Sequence, residues 1–289
     1  MKNTAEFPWY ASKDKLDAFI KLALEEDLGD GDHSSMATID KDKQNRAKLL
    51  VKDSCILAGV SLAEYIFKYY DPNLRVEVFL SDGEKAQYGD VAFEIHGSAR
   101  SILTTERLVL NCMQRMSGIA TFTHQMTQKL EGYNTKLLDT RKTTPNFRML
   151  EKWAVLIGGG NNHRFGLFDM IMLKDNHIDF AGGIEKAVND VKKYLQAKGK
   201  NLKIEVETRN LEEVKQALLA GVDRIMLDNM SPDQITEALK LIDKRTETEA
   251  SGGINGNNLV DYAKTGVDYI SVGGLIHSAE NKDLSLKAF

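Results

Sequence analysis

The sequence predicts an α/β protein that has a β-rich N-terminal domain and a parallel sheet covered by helices. From residue 134 onward, apolar runs of strand length alternate with amphipathic helices, which is typical of a parallel sheet. This half repeats a short strand that opens with Asp, at Asp169–Lys174, Asp223–Asp228 and Asp268–Gly273. The spacing suits a (β/α) barrel, and a doubly wound sheet is the competing architecture.

The N-terminal part predicts a helix followed by a small α/β module. Apolar residues recur at helical spacing over residues 13–26, and Gly29 favours a helix stop. The composition then predicts a helix over Leu62–Tyr70 and strands over Ala47–Val51, Leu74–Leu80 and Val91–Ile95.

A long helix separates the two halves. Thr104 or Thr105 is its predicted N-cap, with Glu106 in the first turn, and Gly118 interrupts it before it ends at Leu130. The predicted domains are therefore residues 1–103 and 104–275.

The second half supplies six predicted strands and the helices between them. The strands are Lys136–Asp139, Met170–Lys174, Leu202–Glu207, Arg224–Asp228, Thr248–Ser251 and Tyr269–Val272. The helices are Ile184–Lys198, Leu211–Ala220, Pro232–Lys244 and Leu259–Thr265, and Ser231 followed by Pro232 is a strong helix start.

Composition excludes several classes of protein. The net charge of −4 argues against general nucleic-acid binding, which needs a basic face. No apolar run approaches the roughly 20 residues of a membrane span, and no secretory signal opens the chain. Cys55 and Cys112 lie in apolar contexts, so we expect reduced core thiols and a cytoplasmic protein.

Cations cluster where the predicted strands end. Arg141, Lys142 and Lys174 follow short apolar runs, and Arg164 lies in the loop between them. An unpaired buried charge costs several kcal/mol, so a strand rarely ends in such residues without a partner. Salt bridges would explain one such end, whereas several in one region favour a polyanion site.

Carboxylates and glycines follow the later strands. Glu207 and Asp228 could hold Mg²⁺, bond sugar hydroxyls or stabilise a developing cation, and they could also pair with Lys174 and Lys142. Ser251-Gly252-Gly253 and Gly273-Gly274 follow the last two strands, where (β/α) barrels bind phosphate through backbone N–H groups.

Other chemistry is less favoured by the pattern. Lys174 could form a Schiff base, but the carboxylates oppose the lowered pKa that this needs. His163 and His177 have no zinc-site spacing, so His163 is interpreted as a hydrogen bonder to an anion and His177 as a turn residue.

The motifs closely resemble the quinolinate phosphoribosyltransferase family of NAD biosynthesis. The resemblance covers nearly the whole chain and rests on these segments: Asp139–Pro145, Gly158–Arg164, Leu173–His177, Ile204–Glu207, Met226–Asn229 and Ala250–Gly253. It implies an N-terminal α/β sandwich joined by the tail 276–289, and an open (β/α) barrel of the type II phosphoribosyltransferase kind. It also implies a homodimer or a higher oligomer built on it.

The resemblance implies that quinolinate and phosphoribosyl pyrophosphate give nicotinate mononucleotide, pyrophosphate and CO₂, with Mg²⁺. The implied quinolinate pocket is Arg107, Arg141, His163, Arg164 and Lys174, with Arg107 reaching a neighbouring subunit. The implied sugar-phosphate and Mg²⁺ side is Lys142, Glu207, Asp228, Ser251, Gly252, Gly253, Ser271, Val272, Gly273 and Gly274, and Thr140 is a further implied substrate-binding residue. Lys142, Lys174, Glu207 and Asp228 are the implied catalytic residues.

One expectation conflicts with a plain barrel. His163 and Arg164 precede a strand, which places them at the face opposite the strands' carboxyl ends, so their loop must fold back. Three rival functions remain open at this level: a molybdenum-transport-associated paralogue with another substrate, a Schiff-base lyase using Lys174, and a non-catalytic phosphate-binding regulator.

Overall fold

The computed structural model describes residues 7–289, which form two compact units. One unit, here unit 1, contains the described residues up to His124 together with Thr143–Gly159 and Leu275–Phe289. The other, unit 2, contains Gln125–Lys142 and Gly160–Gly274. The domain limits drawn from the sequence, 1–103 and 104–275, stay a prediction.

Helices and strands alternate along most of the chain. In chain order they are α1 (Lys13–Leu28), α2 (His33–Thr38), β1 (Gln44–Val51), β2 (Cys55–Ile56), α3 (Val60–Tyr70), β3 (Arg75–Val78), β4 (Lys85–Ala86), β5 (Val91–Ser98), α4 (Ala99–Gln128), β6 (Lys136–Leu138), α5 (Arg148–Ile157), β7 (Ile171–Leu173), α6 (Asp175–Ala181), α7 (Ile184–Lys198), β8 (Ile204–Thr208), α8 (Leu211–Ala220), β9 (Arg224–Asp228), α9 (Pro232–Ile242), β10 (Glu247–Ser251), α10 (Leu259–Ala263), β11 (Tyr269–Ser271), α11 (Gly274–His277) and β12 (Leu284–Ala288).

Unit 1 is built on an antiparallel sheet of four strands in the order β12-β1-β5-β3. β12, from the C-terminal tail, pairs with β1 in the register Ala47↔Ala288 to Val51↔Leu284. Apolar residues of β1, α3 and β5 are fully buried, including Leu49, Phe67 and Phe93. The tail is thus part of the hydrogen-bonded core of this unit.

The predicted N-cap of the long helix is wrong, because α4 begins earlier, at Ala99. The hydroxyl of Thr105 donates to the carbonyl of Ser101 at 2.7 Å, and that of Thr104 donates to Asp32 at 3.2 Å. Threonine hydroxyls can bond the carbonyl one turn back inside a helix as readily as they cap one. The helix start is instead capped by Ser98, the last residue of β5, whose hydroxyl oxygen accepts the backbone N–H of Ser101 at 3.3 Å.

The predicted interruption of the long helix at Gly118 is wrong, and this glycine has a packing role instead. α4 continues through this residue, and a Cβ there would lie 2.1 Å from the backbone oxygen of Glu280. The tail is held against α4 nearby, where Lys282 N donates to the carbonyl of Gln114 at 3.1 Å. Glycine therefore allows the backbone of the tail to touch the helix.

A buried carboxylate ties three segments of unit 1 together. Glu151 of α5 accepts hydrogen bonds from Arg115 of α4 and from the backbone N–H of Thr144, at 3.0 and 2.7 Å. Arg115 also donates to the carbonyls of Ile276 and Ala279 in the tail. One ion pair thus anchors the segment that directly follows Arg141 and Lys142.

Unit 2 contains a parallel sheet of six strands in the order β6-β11-β10-β9-β8-β7. β6 and β7 are the two edges of this open (β/α) barrel, and the six strands match those predicted within a few residues. Outward residues such as Ile225 and Leu227 are apolar and fully buried. No helix within residues 7–289 has the length and hydropathy to cross a bilayer.

The inward face of this sheet corrects the expectation of strands that are apolar throughout. Glu205, Arg224 and Glu249 point inward and are buried. Parallel register sets Arg224 directly beside both Glu205 and Glu247 on the neighbouring strands. Opposite charges on adjacent strands neutralise one another, which allows them to be buried.

The close packing at Gly118 predicts the sign of one stability change. In an open helix position Gly→Ala stabilises by about 0.8–1 kcal/mol, because the helix loses less backbone entropy. For Gly118→Ala we expect instead a loss of about 1–3 kcal/mol from the clash with the tail. Urea unfolding measures this as a lower midpoint at constant slope, and a higher midpoint would contradict the contact.

Candidate active site

The carboxyl ends of the parallel strands converge on one cavity of about 610 Å³ in unit 2. This volume lies within the range of small-molecule sites. Most of the residues that the sequence singled out line it: Thr140, Arg141, Lys142, His163, Arg164, Lys174, Glu207, Asp228, Ser251, Gly252, Gly253, Ser271 and Gly273. The tertiary structure therefore gathers residues that span more than a hundred positions of sequence at one edge of the sheet.

A short parallel extension brings His163 and Arg164 to this edge. Asn161 forms a parallel bridge with Leu138 of β6, and its N–H donates to the carbonyl of Leu137 at 2.8 Å. Asp139 follows β6 and accepts from the backbone N–H of His163 at 2.8 Å. The chain thus runs up beside β6 before it turns back to β7, which resolves the conflict with a plain barrel.

Two arginines form the cationic side of the cavity. Arg164 is half-buried, and its guanidinium lies 3.4 Å from the carbonyl of Met170. Burial and then the charge of Arg141 lower the pKa of Arg164. Lys142 is exposed at the same edge. Two guanidiniums close enough to repel each other, beside a lysine, make a site for an anion.

Two carboxylates form the opposite side. Burial, followed by the charge of Glu207, raises the pKa of Asp228, while Ser251, Lys174 and Asn229 act against this shift. Lys174 Nζ lies 2.9 Å from Glu207, so the predicted ion pair is confirmed. No ion pair joins Lys142 to either carboxylate within residues 7–289. A positively charged ligand or a divalent cation would relieve the repulsion between Glu207 and Asp228.

The loop after β10 depends on glycine. Gly252 has φ +94°, and a Cβ there would lie 2.2 Å from the side-chain oxygen of Asn229. Asn229, itself at φ +55°, donates its backbone N–H to the carbonyl of Ser251 at 2.8 Å. The backbone of the loop is thereby pressed against the end of β9, which leaves backbone groups as the surface presented to a ligand.

A buried cluster of four residues (His163, Glu205, Arg224 and Glu249) lies on the inward face of the sheet. His163 Nε2 is 3.0 Å from Glu205 and 3.2 Å from Glu249, and Arg224 is 3.2 Å from Glu249. The ligand atoms of His163, Glu205 and Glu249 could together hold a metal ion, the only such group found among residues 7–289. Arg224 and the Nε2 side of the His163 ring already face these carboxylates.

The position of the ring proton of His163 follows from its neighbours. Burial alone lowers the pKa of His163, but the adjacent carboxylates of Glu205 and Glu249 outweigh it and raise that pKa. The amide N–H of Arg164 points at Nδ1 from 2.6 Å. The ring proton that the carboxylates favour therefore lies on Nε2.

Three predicted residues are not among those that line the cavity. Arg107 is exposed on α4 in unit 1. Val272 is buried and donates its N–H to the carbonyl of Leu138, which extends the pairing of β11 with β6. Gly274 begins α11. His177, interpreted as a turn residue, accepts the N–H of Lys174 on its Nδ1 at 3.0 Å and holds the start of α6.

Sequence reasoning missed several residues of the site. Met172, Met226, Asn229, Glu249 and Ile254 also line the cavity, and Glu205 and Arg224 lie in the cluster. A signal existed for the charged ones: Glu205 precedes Glu207 by two residues, and Glu249 precedes Ser251 by two. Residues two apart in a strand share a face, so each points inward like its recognised neighbour.

Comparison with known proteins gives the same picture along the whole chain. Residues 32–117 match the family model "Quinolinate phosphoribosyl transferase, N-terminal domain", and residues 119–287 match the model of the C-terminal domain. The chain is 47% identical over 288 residues to nicotinate-nucleotide pyrophosphorylase (carboxylating), chloroplastic, from Oryza sativa subsp. japonica, covering 94% of this chain and 77% of that protein.

Further relatives agree. The chain is 46% identical to quinolinate phosphoribosyltransferase (decarboxylating) 1b of Nicotiana tabacum, covering 94% of this chain and 82% of that protein. The crystal structure of NadC from Streptococcus pyogenes superposes with a TM-score of 0.90 at 41% identity and 96% coverage of both chains. The matching models, the close relatives and the shared fold together establish that this chain belongs to the quinolinate phosphoribosyl transferase family.

Proposed function

We propose that the protein transfers the phosphoribosyl group of phosphoribosyl pyrophosphate to quinolinate with decarboxylation, a step of NAD biosynthesis. The products are nicotinate mononucleotide, pyrophosphate and CO₂. The observation that carries the proposal is a single cavity with clustered cations on one side and paired carboxylates beside glycine loops on the other. The names of the relatives describe the same reaction.

Quinolinate suits the cationic side. It carries two carboxylates, and Arg141, Arg164 and Lys174 can each donate charge-assisted hydrogen bonds of about 1.5–3 kcal/mol. The repulsion between Arg141 and Arg164 is relieved when an anion lies between them. Arg107 would complete the pocket from a neighbouring subunit.

Phosphoribosyl pyrophosphate suits the other side. Lys142 and the loops at Ser251–Gly253 and Ser271–Gly274 would bind its phosphates, with backbone N–H groups as donors. Glu207 and Asp228 would hold Mg²⁺, whose two positive charges would relieve the like-charge repulsion at Asp228. When bound, Mg²⁺ supplies charge neutralisation for the departing pyrophosphate.

The chain's own groups fit both bond changes. The C1–O bond to pyrophosphate breaks as the ring nitrogen of quinolinate bonds to C1, and Glu207 and Asp228 face the positive charge that develops on the sugar. The bond from C2 to its carboxylate then breaks, CO₂ leaves, and the electron pair on C2 takes up a proton. Arg141, Arg164 and Lys174 face the negative charge of this step.

Two rival functions fit the cavity less well. A Schiff-base lysine must be desolvated, whereas the side chain of Lys174 is 49% exposed and paired with Glu207. A non-catalytic phosphate-binding regulator needs cations and backbone donors but has no use for two carboxylates facing them. A paralogue with another substrate differs in the anion bound at the arginines, so the assay must identify the acceptor.

We propose the cytoplasm as the location of the protein, because Cys55 and Cys112 are both free thiols.

The direct test is formation of nicotinate mononucleotide from quinolinate, with CO₂ release from the C2-labelled carboxylate. We expect turnover that requires phosphoribosyl pyrophosphate and Mg²⁺, and that stops when a chelator removes the metal ion. Nicotinate serves as the control acceptor, because it lacks the second carboxylate. Equal turnover with nicotinate, or none with quinolinate, would reject the proposed acceptor.

Asp228→Asn tests the division of labour inside the cavity. The variant removes one of the two carboxylates that face the sugar and the metal ion. We expect kcat to fall on the order of 10²-fold, as for loss of other transition-state electrostatic groups. The dissociation constant of quinolinate, measured by calorimetry, should stay within about threefold. Lost quinolinate binding with unchanged kcat would assign Asp228 to the other substrate.

Mixing two inactive variants tests the subunit sharing of Arg107. Arg107→Ala keeps a complete cavity, and Lys174→Ala keeps the arginine. In a two-fold dimer each subunit lends its arginine to the other, so a mixed dimer has one site with both lesions and one with none. After random exchange we expect about a quarter of all sites to recover activity. No recovery, with exchange shown by mass spectrometry, would place Arg107 in its own subunit's site or in no site.

A further inference from the structure

Two buried glutamates of unit 2 have no part in the chemistry described so far. Glu205 of β8 and Glu249 of β10 are completely buried, on the inward face of the sheet. Each stands two residues before a residue of the cavity, Glu207 and Ser251; Glu205 lies beneath the cavity, and Glu249 is among the residues that line it. Burying carboxylates costs several kcal/mol each unless they are paired, so their partners indicate what they do.

Their common partner is the ring of His163. Nε2 lies 3.0 Å from Glu205 and 3.2 Å from Glu249, while Nδ1 accepts the N–H of Arg164 at 2.6 Å. The backbone N–H of His163 donates to the buried carboxylate of Asp139 at 2.8 Å. The residue is held at both ring nitrogens and at its backbone, so its ring cannot rotate without breaking these contacts.

The restraint passes directly to Arg164. The backbone N–H that donates to the ring of His163 is that of Arg164. The guanidinium of Arg164 lines the cavity beside Arg141. Arg141 repels the guanidinium of Arg164, and the charges of Glu205 and Asp169 attract it.

A metal ion is the competing occupant of these three side chains, and charge argues against it. The guanidinium of Arg224 lies 3.2 Å from Glu249 and 3.1 Å from Glu247. It also stacks on Tyr269, with its central carbon 4.1 Å from the centroid of the tyrosine ring. A divalent cation would have to share the carboxylates with this fixed guanidinium. The Nε2 proton of His163 already faces the same oxygens.

We propose that Glu205 and Glu249 are positioning residues that fix the ring of His163 and thereby hold Arg164 in place for a carboxylate of the substrate. This inference rests on the proposed function, since it assigns them to binding of the dicarboxylate acceptor and not to the sugar. Both glutamates are completely buried, and they act on the substrate through His163 and Arg164.

The chain offers a matched control for the test. Glu205→Met and Glu249→Met remove a carboxylate and preserve the length of the side chain. Glu247→Met does the same on the same face of β10, and it also removes one partner of Arg224, but Glu247 does not contact His163. Both variants remove a partner of Arg224, so Glu247→Met controls for that loss. Glu247 is part-exposed and also pairs with Lys203, whereas Glu249 is buried and faces His163.

We expect both test variants to raise KM for quinolinate by about tenfold or more, with kcat and KM for phosphoribosyl pyrophosphate within about threefold. Glu249→Gln, which keeps an acceptor oxygen, should recover part of the loss, and it replaces Glu249→Met if that variant does not fold. Glu247→Met should leave KM for quinolinate within about twofold. Unchanged KM in the test variants, or an equal rise in the control, would overturn the proposal.

A second readout is independent of activity. In protein labelled with ¹⁵N-histidine, the ring of His163, assigned by its loss in His163→Gln, should show a slowly exchanging proton on Nε2. The signal should persist in Glu247→Met and be lost in Glu249→Met; its absence from the unchanged protein would overturn the inference. Absence of all turnover together with this signal would instead reject the proposed function.

Discussion

Mutual neutralisation of charges on the inward face of the parallel sheet supports the rest of unit 2. Arg224 stands in register with Glu205 on one side and Glu247 on the other, and it also reaches Glu249. A buried ion pair adds little net stability, but loss of one member costs about 3–5 kcal/mol, because the other is left without compensation. The sheet can therefore carry charges in its interior only as a complete set, which makes strand register a strict requirement.

The same alternation carries charge outward to the cavity. Residues two apart share a face of a strand, so the line of Glu205 and Glu207 on β8, and that of Glu247, Glu249 and Ser251 on β10, run from the interior to the carboxyl edge. The outermost members line the cavity, and the inner ones face protein groups of opposite charge. The polar residues of the cavity thus continue without a break into the polar residues on the inward face of the sheet.

Strand order separates the two chemical sides of the cavity. The order β6-β11-β10-β9-β8-β7 sets the glycine loops after β11 and β10 between the cations that follow β6 and the carboxylates that end β8 and β9. Lys174, which follows β7 at the far edge, adds a cation beside Glu207. This arrangement suits a pair of anionic substrates that meet at a carbon which becomes positively charged.

The sequence by itself determined the class of fold, all six parallel strands and most residues of the cavity. It could do so because strand periodicity and the motifs at strand ends are local properties, and parallel strands bring their carboxyl ends to one edge. It also indicated the family, because the motifs combine residue types at fixed spacing.

Only the tertiary structure decided how His163 and Arg164 reach the cavity, since the bridge of Asn161 to Leu138 joins residues 23 positions apart. In the fold, α4 begins at Ala99 and is capped by Ser98, while the threonines that favoured a cap bond to Asp32 and Ser101. The need for glycine at 118 came from contact with the tail at Glu280. The pairing of Glu205, Glu249 and Arg224 depends on register between strands, which no single strand encodes.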